Sequence, residues 1–343
     1  MTAKVTQMFR EAGAAPGLVR AQLEANEPLA RALAARLRAS PPRAVTTLGR
    51  GSSDNVATFA RYLIETRVGV MTASSSPSVS SVYEAAPGME DTVCLAVSQS
   101  GRSPDLVAAA QAAATGGAHV IALVNAEDSP LSAVAHVTIP LRAGPELSVA
   151  ATKSFIAGLA AVSQLVAWWS EDASLLDAVS DLPARLEQAW RLDWSAAIAP
   201  LCAAEHLYVI ARGLGFAIAQ EAALKFKETC GLHAEAFSAA EIRHGPMALV
   251  GPSFPVLAFT QDDPTEEGVE ALVAAFAGRG APAIQVGGGG RAGVIGLPAA
   301  AGHPALAPIG QIQSFYRLAD ELARARGFDP DRPLHLAKVT ETL

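Results

Sequence analysis

Residues 95–110 read LAVSQSGRSPDLVAAA, an apolar run that breaks at Ser98 and resumes at Leu106 as an alanine-rich stretch. The first part has the length and composition of a buried strand, and the second has those of a helix. Between them lie Ser98, Gln99, Ser100, Gly101 and Ser103. A strand-to-helix turn presents the unpaired N–H groups of a new helix, and hydroxyls beside them form an uncharged cradle for an anion. One serine would serve as a cap, but three around a glycine are more than capping needs.

Working outward, the same alternation recurs. AVTTLG (44–49) precedes SSDNVATFARYLIE (52–65), TVCLAVS precedes SPDLVAAAQAAATGG, and HVIALVN follows. Strands alternating with helices of this length predict parallel βαβ units and a doubly wound α/β sheet. The order then returns at a constant offset of 162 residues: HLYVIARGLGFAIAQEAALKFKE echoes 44–65, with Arg50 on Arg212, Gln99 on Gln261, and 153–160 on 315–322. A fixed offset over four elements points to duplication. The expected organisation is an N-terminal helical segment (1–43), a first α/β domain (44–180) that binds the anion, and a second (200–343). In the second half the serine turn becomes Thr260-Gln261-Asp262-Asp263. Its carboxylates cap a helix well but repel an anion, so the cradle is expected only in the first domain.

Composition narrows the partners. Of 343 residues, 50% are hydrophobic and 17% charged, enough for two sizeable cores. With 26 basic against 33 acidic residues the net charge is −7, and no basic run occurs. Neither nucleic acid nor an anionic membrane surface is expected as a partner. No apolar stretch is long enough to span a bilayer, and the N-terminus lacks a signal-peptide layout. Cys94, Cys202 and Cys230 lie far apart with no CxxC pair, which reads as reduced thiols in a cytoplasm. Cys230 and His233 have no second pair at ligand spacing, so no metal is expected.

Four blocks resemble a known family: GRGSSDNVATFARYLIE (49–65), SQSGRSPD (98–105), AGPELSVAATKSF (143–155) and ALKFKETCGLHAEAFSAAEIRHGPMAL (223–249), followed by PLHLAKVTETL (333–343). In this order they resemble the isomerase part of glutamine–fructose-6-phosphate aminotransferase, built from two sugar isomerase (SIS) domains, and its stand-alone relatives, the SIS-type glucosamine-6-phosphate deaminases. The resemblance implies two doubly wound SIS domains, each a mostly parallel sheet flanked by helices. It implies that Ser53, Ser98, Gln99, Ser100 and Ser103, with Val149 nearby, hold a sugar phosphate. By the same resemblance Glu228 moves a proton between C1 and C2, His244 opens the sugar ring from a neighbouring subunit, Lys338 forms a Schiff base, and Lys225 lies near Glu228. A homodimer with shared active sites is implied, and no cofactor is needed.

The local pattern alone reads Lys225, Lys227 and Glu228 as a solvated helix face, and Lys338 as part of a frayed tail. His244 precedes Gly-Pro and is expected on a turn. Two departures from the family stand out: Arg102 follows SQSG where an acid is usual, and Ala151 replaces a serine. Residue 2 is Thr, and fewer than 50 residues precede the first strand, so a glutaminase domain is not expected within this sequence. The expected activity is therefore the isomerisation and deamination of an amino sugar phosphate, glucosamine 6-phosphate above others. The alternatives are another phosphosugar isomerase or deglycase, synthesis from external ammonia, and a sugar-phosphate sensor without turnover.

Overall fold

The computed structural model describes residues 5–288 and 290–338, and residues 1–4 and 339–343 of the two terminal segments lie outside it. The chain divides into two compact units. The first-half unit comprises residues 17–146, 153–181 and 337–338, and the second-half unit comprises 5–16, 147–152 and 182–336. Two helices are shared by the division. Helix α1 (Gln7–Ala39) places its first ten residues in the second-half unit, and α7 (Ala173–Trp190) gives each unit about half its length.

In the first-half unit the chain runs β1 (Ala44–Leu48), α2 (Ser52–Arg67), β2 (Thr72–Ser74), α3 (Ser78–Ser81), β3 (Thr92–Ser98), α4 (Pro104–Thr115), β4 (His119–Val124), α5 (Pro130–Val134), β5 (Val137–Pro140) and α6 (Lys153–Ser170). The sheet order is β2-β1-β3-β4-β5, with every pairing parallel. Strand β3 is buried at all its residues, as a parallel strand covered on both faces must be. That is why TVCLAVS reads as a continuous apolar run rather than an alternating one.

The second-half unit repeats this plan with α8 (Ile198–Cys202), β6 (His206–Ala211), α9 (Gly215–Cys230), β7 (His233–Ser238), β8 (Val256–Phe259), α10 (Glu266–Gly278), β9 (Ala283–Val286), β10 (Val294–Leu297) and α11 (Ala307–Ala325). Its order, β7-β6-β8-β9-β10, is the first sheet's order strand for strand, again wholly parallel. The expected two doubly wound sheets are thus present. Elements begin at the expected offset too: Ala44 against His206, and Pro104 against Glu266. The core below this sheet is aromatic, with Phe226 edge-on to Phe315 at 5.0 Å between ring centroids.

The repeat also departs before its last helix. The offset puts the start of α6 on Phe315, yet α11 already begins at Ala307. The stretch that is helix in the second half is an irregular loop in the first, residues 143–152. That loop carries Glu146 and Val149.

Candidate functional site

An order of 2-1-3-4-5 reverses direction between its first and third strands, and in open α/β sheets ligands bind at that crevice, beyond the strands' C-terminal ends. In the first-half unit the crevice is flanked by residues 49–53, after β1, and 98–103, after β3. These are the two serine-bearing turns. Ser53 is half-buried in the first turn of α2, and Ser103 is the N-cap of α4 without a side-chain capping bond. The hydroxyl of Ser103 is therefore not spent on its own helix. Ser98 is buried, and its Oγ accepts the Gly101 N–H at 3.0 Å, folding the turn back on itself. Ser100 Oγ accepts from the Arg102 N–H at 3.3 Å. Gln99 is half-buried, and its carbonyl accepts the N–H groups of Asn125 and Ala126, both at 3.3 Å.

Gly101 has φ +62°, and a Cβ there would overlap the Ser129 side chain. Gly49 approaches the α2 backbone so closely that a Cβ would lie 2.7 Å from the Asp54 nitrogen. Both glycines are thus required by the geometry of the turns.

A clamp that the sequence did not announce joins the two turns. Arg50, after β1, donates from Nε at 2.8 Å and from Nη2 at 2.6 Å to Asp105 Oδ2, in the first turn of α4. The Asp105 side chain is 1% exposed, and its other oxygen accepts the Leu106 N–H at 2.8 Å. A buried carboxylate needs such a partner, and here the partner spans the crevice. Arg102, the departure noted above, is exposed and reaches the Asp128 carbonyl at 3.4 Å.

The equivalent turn of the second-half unit bonds largely to itself, with Gln261 Oε1 buried and unpartnered among the described residues. Gln261 Nε2 donates to the Arg212 carbonyl at 2.9 Å, and Asp263 accepts from the Thr265 N–H at 2.7 Å and its hydroxyl at 2.6 Å. Burial, followed by repulsion from Glu270, Asp262 and Asp263, raises the carboxyl of Glu266 above its ordinary value. Carboxylates at such a turn disfavour an anion.

The chemistry-bearing residues of the second-half unit lie on α9. Glu221, Lys225 and Glu228, at i, i+4 and i+7, share one helix face. Lys225 Nζ stands 2.5 Å from Glu228 Oε2 and 3.5 Å from Glu221 Oε1, while Tyr316 Oη donates to Glu221 Oε1 at 3.1 Å. Side-chain exposure is 0% for Glu221, 1% for Lys225 and 20% for Glu228. The solvated-face reading of this segment is corrected here, because only Lys227 points fully to water. Glu221, visible in the spacing E-x-x-x-K-x-x-E, was missed because a charge pattern does not say which side of a helix is covered. The row holds two carboxylates for one ammonium, and only Glu228 is open to solvent.

Three other residues complete the account. His244 is exposed at the end of a single 3₁₀ turn (Glu241–His244), just before Gly245 at φ +140°. Val149 is half-buried in the irregular loop. Two residues earlier the loop is held by Glu11 of α1, whose carboxylate accepts the Leu147 N–H at 2.6 Å and the Ser148 N–H at 3.1 Å. Burial pushes the Glu11 carboxyl up, but these bonds and one from Gln7 together outweigh it and hold it below its ordinary value. Lys338 is not a free tail residue, since its Nζ lies 3.0 Å from Glu146 Oε2. Ser53, Ser98, Gln99, Ser100, Ser103 and Lys338 thus belong to the first-half unit. Val149, Lys225, Glu228 and His244 belong to the second-half unit. Among the described residues no group of three His, Cys, Asp or Glu side chains is placed to hold a metal ion, and no helix is long and apolar enough to cross a membrane.

Comparison with known proteins agrees with this architecture. The model of the SIS domain family matches residues 40–167 and 201–288. A glutamine–fructose-6-phosphate aminotransferase (isomerizing) from Aeropyrum pernix is 36% identical over 310 residues, covering 85% of this chain and 50% of that protein. The chain therefore spans about half the length of such curated relatives. Among solved structures, a protein from Silicibacter pomeroyi DSS-3, provisionally named a phosphosugar isomerase, is 41% identical with a TM-score of 0.92, over 95% of this chain and all of that one. The glucosamine-6-phosphate deaminase of Thermotoga maritima shares the fold, with a TM-score of 0.78 at 20% identity over 98% and 100% of the two chains. With a family match in each half and the same five-strand order in both sheets, this chain belongs to the SIS family and carries two SIS domains.

Proposed function

We propose that the chain is a phosphosugar isomerase of the SIS type that deaminates its substrate, converting glucosamine 6-phosphate and water to fructose 6-phosphate and ammonia. The observation that carries this reading is the Lys225–Glu228 pair: a carboxylate one-fifth open to solvent, gripped at 2.5 Å by a fully buried ammonium. Isomerisation needs a base that takes a proton from the carbon next to a carbonyl and returns it to the neighbouring carbon, and a carboxylate in fixed geometry can do both. A sensor would need the serine cradle but has no use for such a group.

In this reading the hydroxyls of Ser53, Ser98, Ser100 and Ser103 and the start of α4 hold the phosphate, with Gln99 and the Val149 backbone against the sugar. His244, exposed and offered to a neighbouring subunit of a homodimer, assists ring opening. Glu228 moves the C2 proton of the open-chain amino aldose to C1, which leaves an imine at C2. Water adds to the imine, and ammonia departs. Lys338 forms an imine at the C2 carbonyl of the open-chain ketose phosphate, with release of water. The resemblance of the four motif blocks and of the segment 333–343 supports each of these roles.

The test is to incubate the purified protein with glucosamine 6-phosphate and measure ammonia and fructose 6-phosphate together. Equal amounts are expected, and Glu228→Gln should keep ligand affinity while turnover falls by about 10²–10⁴. Binding without either product would remove the deaminase reading. The aminotransferase relatives favour a second reading, synthesis from fructose 6-phosphate and free ammonia, and the same assay run from those compounds measures it.

A further inference from the structure

The irregular loop that interrupts the repeat carries a buried acid, Glu146, with a serine and a lysine bonded to it. The Glu146 side chain is 0% exposed. Its Oε1 accepts the Ser154 N–H at 3.1 Å, and its Oε2 accepts from the Ser154 hydroxyl at 2.7 Å and from Lys338 Nζ at 3.0 Å. Lys153, the other cation at this end of α6, turns to the Pro145 carbonyl at 2.6 Å. Lys338 itself is one-quarter exposed, so its nitrogen is fixed on one side by the acid and open on the other.

An ammonium has no lone pair and cannot attack a carbonyl, so imine formation on a lysine needs a neighbour that takes a proton from its nitrogen. Resting on the reading that Lys338 forms an imine with the open-chain sugar, we infer that Glu146 is the proton acceptor and donor for that step. Glu146 takes one proton from the Lys338 ammonium. The freed amine adds to the carbonyl carbon, and the carbonyl oxygen takes up the second nitrogen proton to give a carbinolamine. Glu146 then returns its proton to the carbinolamine hydroxyl, the C–O bond breaks, and water leaves. The products are the iminium on Lys338, one water and the Glu146 carboxylate, so charge and atoms balance. The two bonds from Ser154 hold the carboxylate in place while the proton moves away and back.

The experiment uses the full chain with fructose 6-phosphate and cyanoborohydride, following the reduced adduct on Lys338 by peptide mass spectrometry across pH 6 to 10. Glu146→Gln keeps an oxygen for Ser154 and the shape of the side chain but cannot take a proton. Its trapping rate at neutral pH should fall at least tenfold, then climb back toward the unmodified rate as pH rises and bulk base takes over the deprotonation of the lysine. In Glu146→Ala, added formate should restore trapping about threefold or more by occupying the vacated space. A Glu146→Gln rate equal to the unmodified one at every pH overturns the inference. So does a slow rate with an unchanged pH profile and no formate rescue in Glu146→Ala, which marks a merely structural role. Absence of any Lys338 adduct in the unmodified chain also overturns it, while ammonia release from glucosamine 6-phosphate still decides the proposed function separately.

Discussion

Lys225→Met isolates the buried charge row on α9. The substitution roughly preserves side-chain volume, so packing changes little, but Glu221, at 0% exposure, loses its ammonium 3.5 Å away. Breaking a buried pair from one side costs about 3–5 kcal/mol. An independent bound comes from protonation, because the stranded acid can take up a proton instead of staying charged. For a glutamate with an ordinary value near 4.3, that costs about 3.7 kcal/mol at pH 7 and about 1 kcal/mol at pH 5, at 1.36 kcal/mol per pH unit. The two routes agree at neutral pH, and the second adds a sign. In the variant, Glu221 favours its neutral form in the folded state, so stability is present below the unfolded value and lost as pH rises. The deficit against the unmodified chain should therefore be near 3–4 kcal/mol at pH 7 and shrink to about 1 at pH 5. Urea unfolding at a series of pH values measures it, with Trp190 and Trp194 reporting on the unit that holds α9. Adding Glu221→Gln should recover most of the loss, since no buried charge then remains. A deficit that ignores pH, or a double variant as unstable as the single one, would refute the assignment of this row as a buried ion cluster.

Other outcomes follow from the same structure. Burial pushes the Cys94 and Cys230 thiols up to about 11, whereas Cys202 is half-buried, so a disulfide reagent at pH 8 should titrate one fast thiol that Cys202→Ser removes. Gly101→Ala forces a left-handed conformation on a residue with a Cβ and drives it into Ser129. It should cost at least about 1–2 kcal/mol and weaken glucosamine 6-phosphate binding at least tenfold by calorimetry. Glu11→Gln should lose about 1.5–3 kcal/mol at pH 7, the scale of hydrogen bonds to a charged group. Because Glu11 is held below its ordinary value, its contribution is present above the unfolded value and lost as pH falls through the folded one. The stability curves of the two proteins should therefore converge in acid.

What the sequence determined by itself is what depends on neighbouring residues in the chain. Strand composition, helix composition and the 162-residue repeat follow from local patterning, and with the handedness of βαβ units they lead to two parallel sheets. The serine turn was equally legible, because the turn and the helix start that it serves are contiguous. The Thr260–Asp263 turn could be set aside from its carboxylates alone. Tertiary structure decided which charges are covered and which distant groups meet. Lys225 and Lys227 are two residues apart and equally polar, yet one is buried beside Glu221 and the other is exposed. Arg50 meets Asp105 only because β1 and β3 lie side by side at the switch point. Lys338 meets Glu146 across 192 positions of chain, on a loop where the repeat abandons its helix. Burial and pairing at such distances belong to the packed sheets and their covering helices, and no local run of residues encodes them.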